Sequence, residues 1–118
     1  MAAPNLRSPT VVTGKSACAV LTTVLSEILG NVAASGKVLK VNALRAANVT
    51  ATAATVSLVV VRASSSFYLL KDGSVSAATA LIASDKNEYV YLEEGDSLQA
   101  ACGVNQAIHL TVNYEEVS

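Results

Sequence analysis

The stretch Ala107–Tyr114, AIHLTVNY, alternates apolar and polar residues along its whole length. On an extended chain every second side chain points to the same side, so this stretch has one apolar face and one polar face. The apolar positions are Ile108, Leu110, Val112 and Tyr114, and the polar positions between them are His109, Thr111 and Asn113. The pattern predicts a β-strand with one face against a core and the other toward solvent.

The rest of the chain shows further strand patterns. Ala54–Arg62, ATVSLVVVR, is short and rich in β-branched residues, which predicts a buried strand. Other strands are predicted at Ser16–Val24, Lys37–Ala47, Phe67–Lys71, Ala78–Ser84, Tyr89–Leu92 and Ser97–Cys102. The last of these is expected to pair with Ala107–Tyr114 across GVNQ, and Lys71–Ser74, KDGS, to form a turn through its Asp-Gly pair. Leu25–Gly36 is expected to be a helical turn or a loop.

These strands predict an all-β fold, a single antiparallel β-sandwich of the immunoglobulin-like or jelly-roll kind. A chain of 118 residues fits one domain. Hydrophobic residues make up 52% of it and aromatic residues only 4%, so Val, Leu, Ile and Ala must fill the core. Residues 1–15 hold Pro4 and Pro9 and lack an apolar period, so we expect an extended N-terminal arm, with the sandwich at residues 16–118.

The start of the chain lacks the charged and apolar regions of a secretory signal, and no stretch is apolar enough for a transmembrane helix. Synthesis in a reducing cytoplasm is therefore expected, with Cys18 and Cys102 as buried thiols rather than a disulfide. A zinc site is disfavoured, because the chain has one histidine and no close cysteine pair.

The motifs that suggest chemistry are incomplete. TGKSA at Thr13–Ala17 ends like a P-loop but has Pro9 where the first glycine is required. Asn48-Val49-Thr50 matches a glycosylation acceptor, which has no meaning without secretion. His109 is expected on an outward face, and the serines lack a recognisable partner base. We therefore expect no enzyme, no cofactor and no metal.

The stretch Val90–Ala100, VYLEEGDSLQA, holds three carboxylates within four residues. Their spacing is not that of a calcium loop, and the adjacent Glu93 and Glu94 point to opposite sides of an extended chain. We predict a structural turn at Glu94, Gly95 and Asp96, with positive φ at Gly95 and the Asp96 side chain bonded to nearby backbone amides. The turn is expected to join the strands YVYL and SLQA as a hairpin.

Charge is distributed unevenly along the chain. Residues 1–71 carry seven basic residues and one acidic, whereas residues 72–118 carry one basic residue and eight acidic. One interpretation is that the two halves interleave in the sandwich and their charges cancel locally. The other is that complementary patches on identical copies meet head to tail.

Four motifs resemble a group of small proteins encoded by tailed bacteriophages, notably marine cyanobacterial phages. They are the lead SPTVVTGKSA at residues 8–17, VLKVNALRAANVTATAATVSLVV at 38–60, YLEEGDSLQA at 91–100 and the ending IHLTVNYEEVS at 108–118. The resemblance covers nearly the whole chain. It implies a virion structural protein with a β-sandwich fold, present in many copies as decoration or as a neck or tail component, and it implies no catalytic residues.

From the resemblance and the composition together we expect a non-enzymatic capsid decoration or cement subunit, located in the virion and made in the host bacterial cytoplasm. It is expected to self-associate as a trimer or other closed ring and to bind the major capsid protein or tail proteins. The expected contact residues are in the arm: Asn5, Leu6, Arg7, Ser8, Pro9 and Thr10.

Two alternatives stay open. One is a neck, tail, baseplate or fibre-attachment component. The other is a module that binds a host surface or a carbohydrate, for which Tyr89 and Tyr91, on the same side of a strand, are the candidate platform, although core packing is the favoured use for them. Nucleic acid is disfavoured as a partner, since eight basic residues against nine acidic ones give no overall attraction to phosphate.

Overall fold

A computed structural model describes Pro9, residues 11–84 and residues 89–118. The part of the chain that it describes contains β-strands and no helix. The strands are β1 (Val12–Val20), β2 (Ser26–Gly30), β3 (Val38–Asn48), β4 (Ala54–Arg62), β5 (Ser65–Val75), β6 (Ala80–Ser84), β7 (Val90–Leu92), β8 (Ser97–Cys102) and β9 (Ile108–Val117).

The strands form two antiparallel sheets packed face to face, which confirms the predicted β-sandwich. The first sheet has the order β1-β9-β3, and both β6 and β7 pair with the remaining side of β3. The second sheet has the order β2-β8-β4-β5. Counting β6 and β7 as one interrupted strand, this is the order of an eight-stranded jelly roll, so the topology decides between the two sandwich types left open by the sequence.

The core lies between β9 and β3 of the first sheet and β8 and β4 of the second. The three apolar residues at the start of β9 are fully buried, and the residues between them face outward, as the alternation predicts. The opposing layer is Val56, Leu58 and Val60 of β4 with Leu98, Ala100 and Cys102 of β8. Among the described residues, aliphatic side chains and Cys102 fill this core, and the one ring packed against it, that of Tyr114, is partly buried.

The strands near the N-terminus differ from the prediction. β1 begins at Val12, four residues before the expected start, and pairs with β9 over its full length. Residues 12–15 therefore belong to the sheet, although their polar sequence resembles an arm. The segment expected to be a helical turn or loop contains β2, in which Leu29 is buried and a bulge interrupts the pairing with β8. Its sequence, SEILG, has Ile28 and Leu29 side by side, so it lacks the alternation that would identify a strand.

Two predicted hairpins are wrong. β8 and β9 lie in different sheets, so the GVNQ segment crosses the sandwich instead of joining paired strands. β7 and β8 are likewise in different sheets, so the Glu93–Asp96 segment is also a crossing connection. An alternating strand is compatible with a hairpin and with a crossing between sheets. The alternation shows which side of the strand faces the core, but not which sheet the strand joins.

The predicted turn at Lys71–Ser74 is also wrong, because β5 runs through it as a bulged strand. Asp72 has the positive φ expected of an Asp-Gly pair, at 50°. The Ser57 hydroxyl accepts a hydrogen bond from the Asp72 N–H at 3.0 Å and donates one to the Asp72 carboxylate at 3.3 Å. Positive φ permits a β-bulge as readily as a turn, so the Asp-Gly pair forms a bulge here instead of the predicted turn.

Candidate functional sites at the two ends of the sandwich

The carboxylate segment Glu93–Asp96 carries the chain from β7 to β8. Its turn is at Glu94 and Gly95, and Gly95 has a φ of 87°. The Asp96 carboxylate is 3% exposed and accepts a hydrogen bond from the Glu93 N–H at 2.8 Å. Asp96 thus bonds the backbone of its own turn, which is the role expected for it from the sequence.

Arg62, the last residue of β4 in the second sheet, binds the Asp96 carboxylate. Its Nε lies 3.0 Å from each carboxylate oxygen of Asp96, and its Nη2 lies 2.6 Å from Oδ2. The Nη2 group also forms an ion pair with Glu93 at 2.8 Å. The hydrogen bond to Asp96 raises the pKa of the Arg62 guanidinium above its ordinary value. Sequence reasoning missed Arg62, because the contact joins residues 34 positions apart and has no local signal.

The remaining carboxylate of the segment points elsewhere. Glu94 accepts a hydrogen bond from the Gly36 N–H at 3.2 Å and so ties the turn to the loop between β2 and β3. The three carboxylates therefore serve structural contacts, those of Glu93 and Asp96 to Arg62 and that of Glu94 to Gly36. Over Pro9, residues 11–84 and residues 89–118, no group of three or more His, Cys, Asp or Glu side chains is arranged to hold a metal ion.

The β2–β3 loop, residues 31–37, is fixed by the buried side chain of Asn31. The Asn31 amide donates to the Lys37 carbonyl at 2.9 Å and to the Leu92 carbonyl at 3.0 Å. Its Oδ1 accepts a hydrogen bond from the Ser35 hydroxyl at 2.6 Å. The Gly30-Asn31 pair is a turn signal in the sequence, but its bond to Leu92 depends on the tertiary fold.

Glu116, near the end of β9, joins two lysines from different parts of the chain. Its carboxylate lies 2.7 Å from Lys37 Nζ and 3.0 Å from Lys15 Nζ. These hydrogen bonds, the one from Lys37 first, lower the pKa of Glu116 below its ordinary value of 4.5. The hydrogen bond to Glu116 in turn raises the pKa of Lys15.

These ion pairs each join a cation of the basic first part of the chain to a carboxylate of the acidic last part. At these contacts the described residues support the interleaving interpretation of the uneven charge. We call this end of the sandwich the charged end. It comprises the loops at residues 31–37 and 93–96 together with Lys15, Arg62 and Glu116.

The opposite end, which we call the uncharged end, consists of four loops between strands of different sheets. The loops are residues 21–25, 49–53, 76–79 and 103–107, and they contain no Asp, Glu, Lys, Arg or His. Their side chains are mostly exposed, and the large apolar ones among them are Val24, Leu25, Val49 and Val104. This feature escaped sequence analysis because the four loops are dispersed over more than 80 residues.

Asn48 fixes the uncharged end much as Asn31 fixes the other. It is buried, and its amide donates to the Thr52 carbonyl at 2.8 Å and the Val75 carbonyl at 3.0 Å. Its Oδ1 accepts hydrogen bonds from the N–H and hydroxyl of Thr50. Backbone bonds from Gln106 to Leu21 and from Val49 to Ala107 join the neighbouring loops. Because both amide hydrogens of Asn48 are engaged and buried, the Asn-Val-Thr match is not an accessible glycan acceptor.

Tyr89 and Tyr91 form a surface pair beside β3. Their ring centroids are 5.2 Å apart in an edge-to-face arrangement, and Lys40 Nζ lies 4.5 Å from the centroid of Tyr89. Tyr89 is exposed, so core packing is excluded as its role. Partial burial raises the pKa of the Tyr91 hydroxyl above its ordinary value of 10.0.

Of the predicted contact residues in the arm, only Pro9 is described, and it is half-buried. The other five, at positions 5–8 and 10, lie outside the described residues. Cys18 and Cys102 are both free thiols, and Cys102 is buried. The prediction of burial is wrong for Cys18, because it pairs with Thr111 on the outer face of the sheet while its neighbours Ala17 and Ala19 pack against the core. His109 is exposed on the outer face of β9, where the alternation put it.

The comparisons with known proteins give no relative. No family model, curated protein or solved structure matches this chain. The described part of the chain contains no helix long and apolar enough to cross a membrane.

Proposed function

We propose that this chain is a non-enzymatic structural protein of a bacteriophage particle, a capsid decoration or cement subunit that self-associates and binds the particle lattice. The observation that carries the proposal is the uncharged end. Charged residues are depleted from the centres of protein interfaces, whereas the free surface of a domain normally has them interspersed. Four exposed loops without one charged residue fit a surface that is covered in the working protein.

The loops of this end are also held in place before any partner arrives. Asn48 and the backbone bonds between loops fix their relative positions. A preformed surface loses little conformational entropy on binding, which favours a subunit that must occupy many equivalent positions. The opposite end, with its ion pairs, suits the side that faces solvent.

Two further arguments support the particle assignment. One is the resemblance of the four quoted motifs to small proteins of tailed phages. The other is that jelly rolls occur among viral capsid domains, although they also occur in lectins, so the fold alone is an argument by analogy.

Quantitative mass spectrometry on purified virions of the encoding phage tests the proposal. Hundreds of copies per particle are expected for a decoration subunit. Between three and a few dozen copies would instead support the neck, tail or baseplate alternative, and absence from virions would overturn the particle assignment.

A binding assay then tests the uncharged end itself. Val24 is 68% exposed in its loop, and Val32 is 76% exposed in the β2–β3 loop at the charged end. With particles stripped of the chain, Val24→Asp is expected to weaken rebinding, because it introduces a charge into the buried contact. The matched control Val32→Asp is expected to rebind like the unaltered chain. Equal rebinding by both variants would refute this docking surface.

A second candidate function rests on the tyrosine pair. Exposed rings beside a lysine can stack on a sugar and hydrogen bond to it, so Tyr89, Tyr91 and Lys40 favour a carbohydrate-binding role. Binding to a glycan panel that Tyr89→Ala abolishes would support this candidate, and absence of any binding would remove it.

A further inference from the structure

The edge strand β5 begins with a surface of unusual composition. Ser65–Leu69 are all exposed, and Phe67 and Tyr68 are 57% and 52% exposed. No residue from Ser65 to Leu70 is charged. Within the described residues β5 pairs with β4 alone, so its other edge turns alternate N–H and C=O groups away from the sheet.

The other edges of the sandwich carry the protection that natural sheets use against pairing with another chain. β2 has five residues and a bulge, and β6 and β7 are short and separate. β1 is longer, but its fourth residue is Lys15. In β5, by contrast, the pairs from Arg62–Ser65 to Val59–Tyr68 follow one another without a register shift, so Ser65–Tyr68 is regular.

We propose that Ser65–Leu69 of β5 pairs antiparallel with the same segment of a second copy of this chain, joining the two second sheets across a two-fold axis. This names the surface for the self-association included in the proposed function, and it rests on that part of it. The resulting sheet would have eight strands, in the order β2-β8-β4-β5 followed by its symmetry mate, which is within the usual size of a sheet.

The backbone argues for a strand as the partner, and the symmetry argues for an identical strand. Unpaired edge groups are satisfied by another extended segment, and two identical segments related by a two-fold axis satisfy each other at once. Phe67 lies opposite the inward-facing Val60 and Tyr68 opposite Val59, so the two rings are on opposite faces of the sheet. Pairing therefore brings aromatic side chains together across the new junction on both faces.

The distribution of charge favours a two-fold axis within the uncharged half of β5. A two-fold axis at Phe67 or Tyr68 keeps Lys71 of the two copies apart, beyond the regular paired segment. An axis farther along the strand would bring the two Lys71 side chains together, and like charges directly opposite each other are destabilising. The register shift at Leu69, between the pairs Val59–Tyr68 and Leu58–Leu70, also ends the regular part of the strand.

Analytical ultracentrifugation and hydrogen exchange of the full chain, over a concentration series, test this proposal. We expect a monomer–dimer equilibrium in which the amides of Ser65–Leu70 become more protected as concentration rises, while those of β1 do not. Phe67→Lys is expected to weaken dimerisation by about tenfold or more, because it buries a charge at the junction. Tyr68→Glu serves the same purpose if Phe67→Lys fails to fold.

Val12→Lys is the matched control, since Val12 is 50% exposed on the other long edge strand, and its dimerisation should be unchanged. A chain that stays monomeric throughout the series would overturn the proposal, as would a dimer protected elsewhere or one that Phe67→Lys leaves intact. A dimer that is lost on deletion of residues 1–10 would overturn it in favour of the N-terminal segment as the occupant. Virions containing a chain that never dimerises would overturn only this inference, whereas a β5 dimer absent from virions would overturn only the particle assignment.

Discussion

At the charged end of the sandwich the loops are joined through Asp96, Asn31, ion pairs and backbone hydrogen bonds, whereas at the uncharged end they are joined through Asn48 and backbone hydrogen bonds. Asn31 and Asn48 have the same structural role. Each is buried, and its side-chain amide donates hydrogen bonds to the carbonyls of two different segments. Connections of this fold can therefore be held either with charged side chains or without them. It follows that the lack of charge over four exposed loops is a property of the surface and not a requirement of the fold.

The strongest test of this comparison is to remove the buried carboxylate at the charged end. Asp96→Ala should lower the free energy of unfolding by about 2 to 4 kcal/mol, because it removes the buried partner of Arg62, leaving only the exposed Glu93, and deprives the Glu93 N–H of its acceptor. Urea denaturation at neutral pH measures the change. The control is Glu93→Ala, which removes an exposed partner of the same arginine and should cost below about 1 kcal/mol. Equal costs for the two variants would mean that Asp96 is not what holds this end.

The uncharged end is tested by Asn48→Ala. It leaves the carbonyls of Thr52 and Val75 without their donor, so we expect a loss of about 2 to 3 kcal/mol in the same urea measurement. Asn105→Ala alters an exposed asparagine in a neighbouring loop and should change stability by less than about 0.5 kcal/mol. If Asn48→Ala were as mild as Asn105→Ala, the claim that a neutral side chain fixes this end would fail.

A smaller effect is expected at the hairpin between β4 and β5, the connection next to Arg62. Its two turn residues, Ala63 and Ser64, have φ values of 50° and 65°, a conformation that glycine adopts without steric cost. Ser64→Gly should therefore raise the free energy of unfolding by about 0.5 to 1 kcal/mol, which thermal denaturation can detect.

The adjacent Ser65→Gly is the control for that variant. Ser65 is in the strand and needs no positive φ, so the same substitution there should destabilise by roughly 0.5 to 1 kcal/mol. Opposite signs for neighbouring serines would locate the strain in the turn. Two changes of the same sign would show that the turn conformation is not strained.

The sequence predicted most strands and the sandwich, but it did not predict how the strands connect. The alternation in β9 and the β-branched run of β4 record burial on one face, and those positions agree with the structure. The same alternation is compatible with a hairpin or a crossing between sheets, which is why GVNQ and the Glu93–Asp96 segment were assigned wrongly. Which sheet a strand joins is decided by packing between distant segments.

The residues of the candidate sites were likewise predicted only where their contacts are local in the sequence. Gly95 and Asp96 act within their own turn, so local residue chemistry was enough to anticipate them. The fold alone brings Arg62 to Asp96, and it alone gathers the four uncharged loops at the other end of the sandwich. No short window of sequence contains either set of residues. The exposure of Cys18 was missed because the apolar residues around it do not distinguish the inner face of β1 from its outer face.

The smallest predicted effect concerns acid, and it separates the two ends by their chemistry. The pKa of Glu116 is lower in the folded protein than its ordinary value of 4.5, so its ionised form stabilises the fold above about that pH. That stabilisation is lost as the pH falls through the lowered pKa. Since the lysine partners are nearly half exposed and screened by solvent, we expect it to amount to below about 1 kcal/mol.

Urea denaturation of the unaltered chain and of Glu116→Gln at about pH 7 and about pH 3 measures this term. The variant should be slightly less stable than the unaltered chain at neutral pH and equally stable in acid. Asn48→Ala, by contrast, should keep the full pH dependence of the unaltered chain, because the contacts that it removes are neutral. If Asn48→Ala reduced the acid sensitivity and Glu116→Gln did not, ionisation would be coupled to the uncharged end, and the division of the molecule into a charged and a neutral end would be wrong.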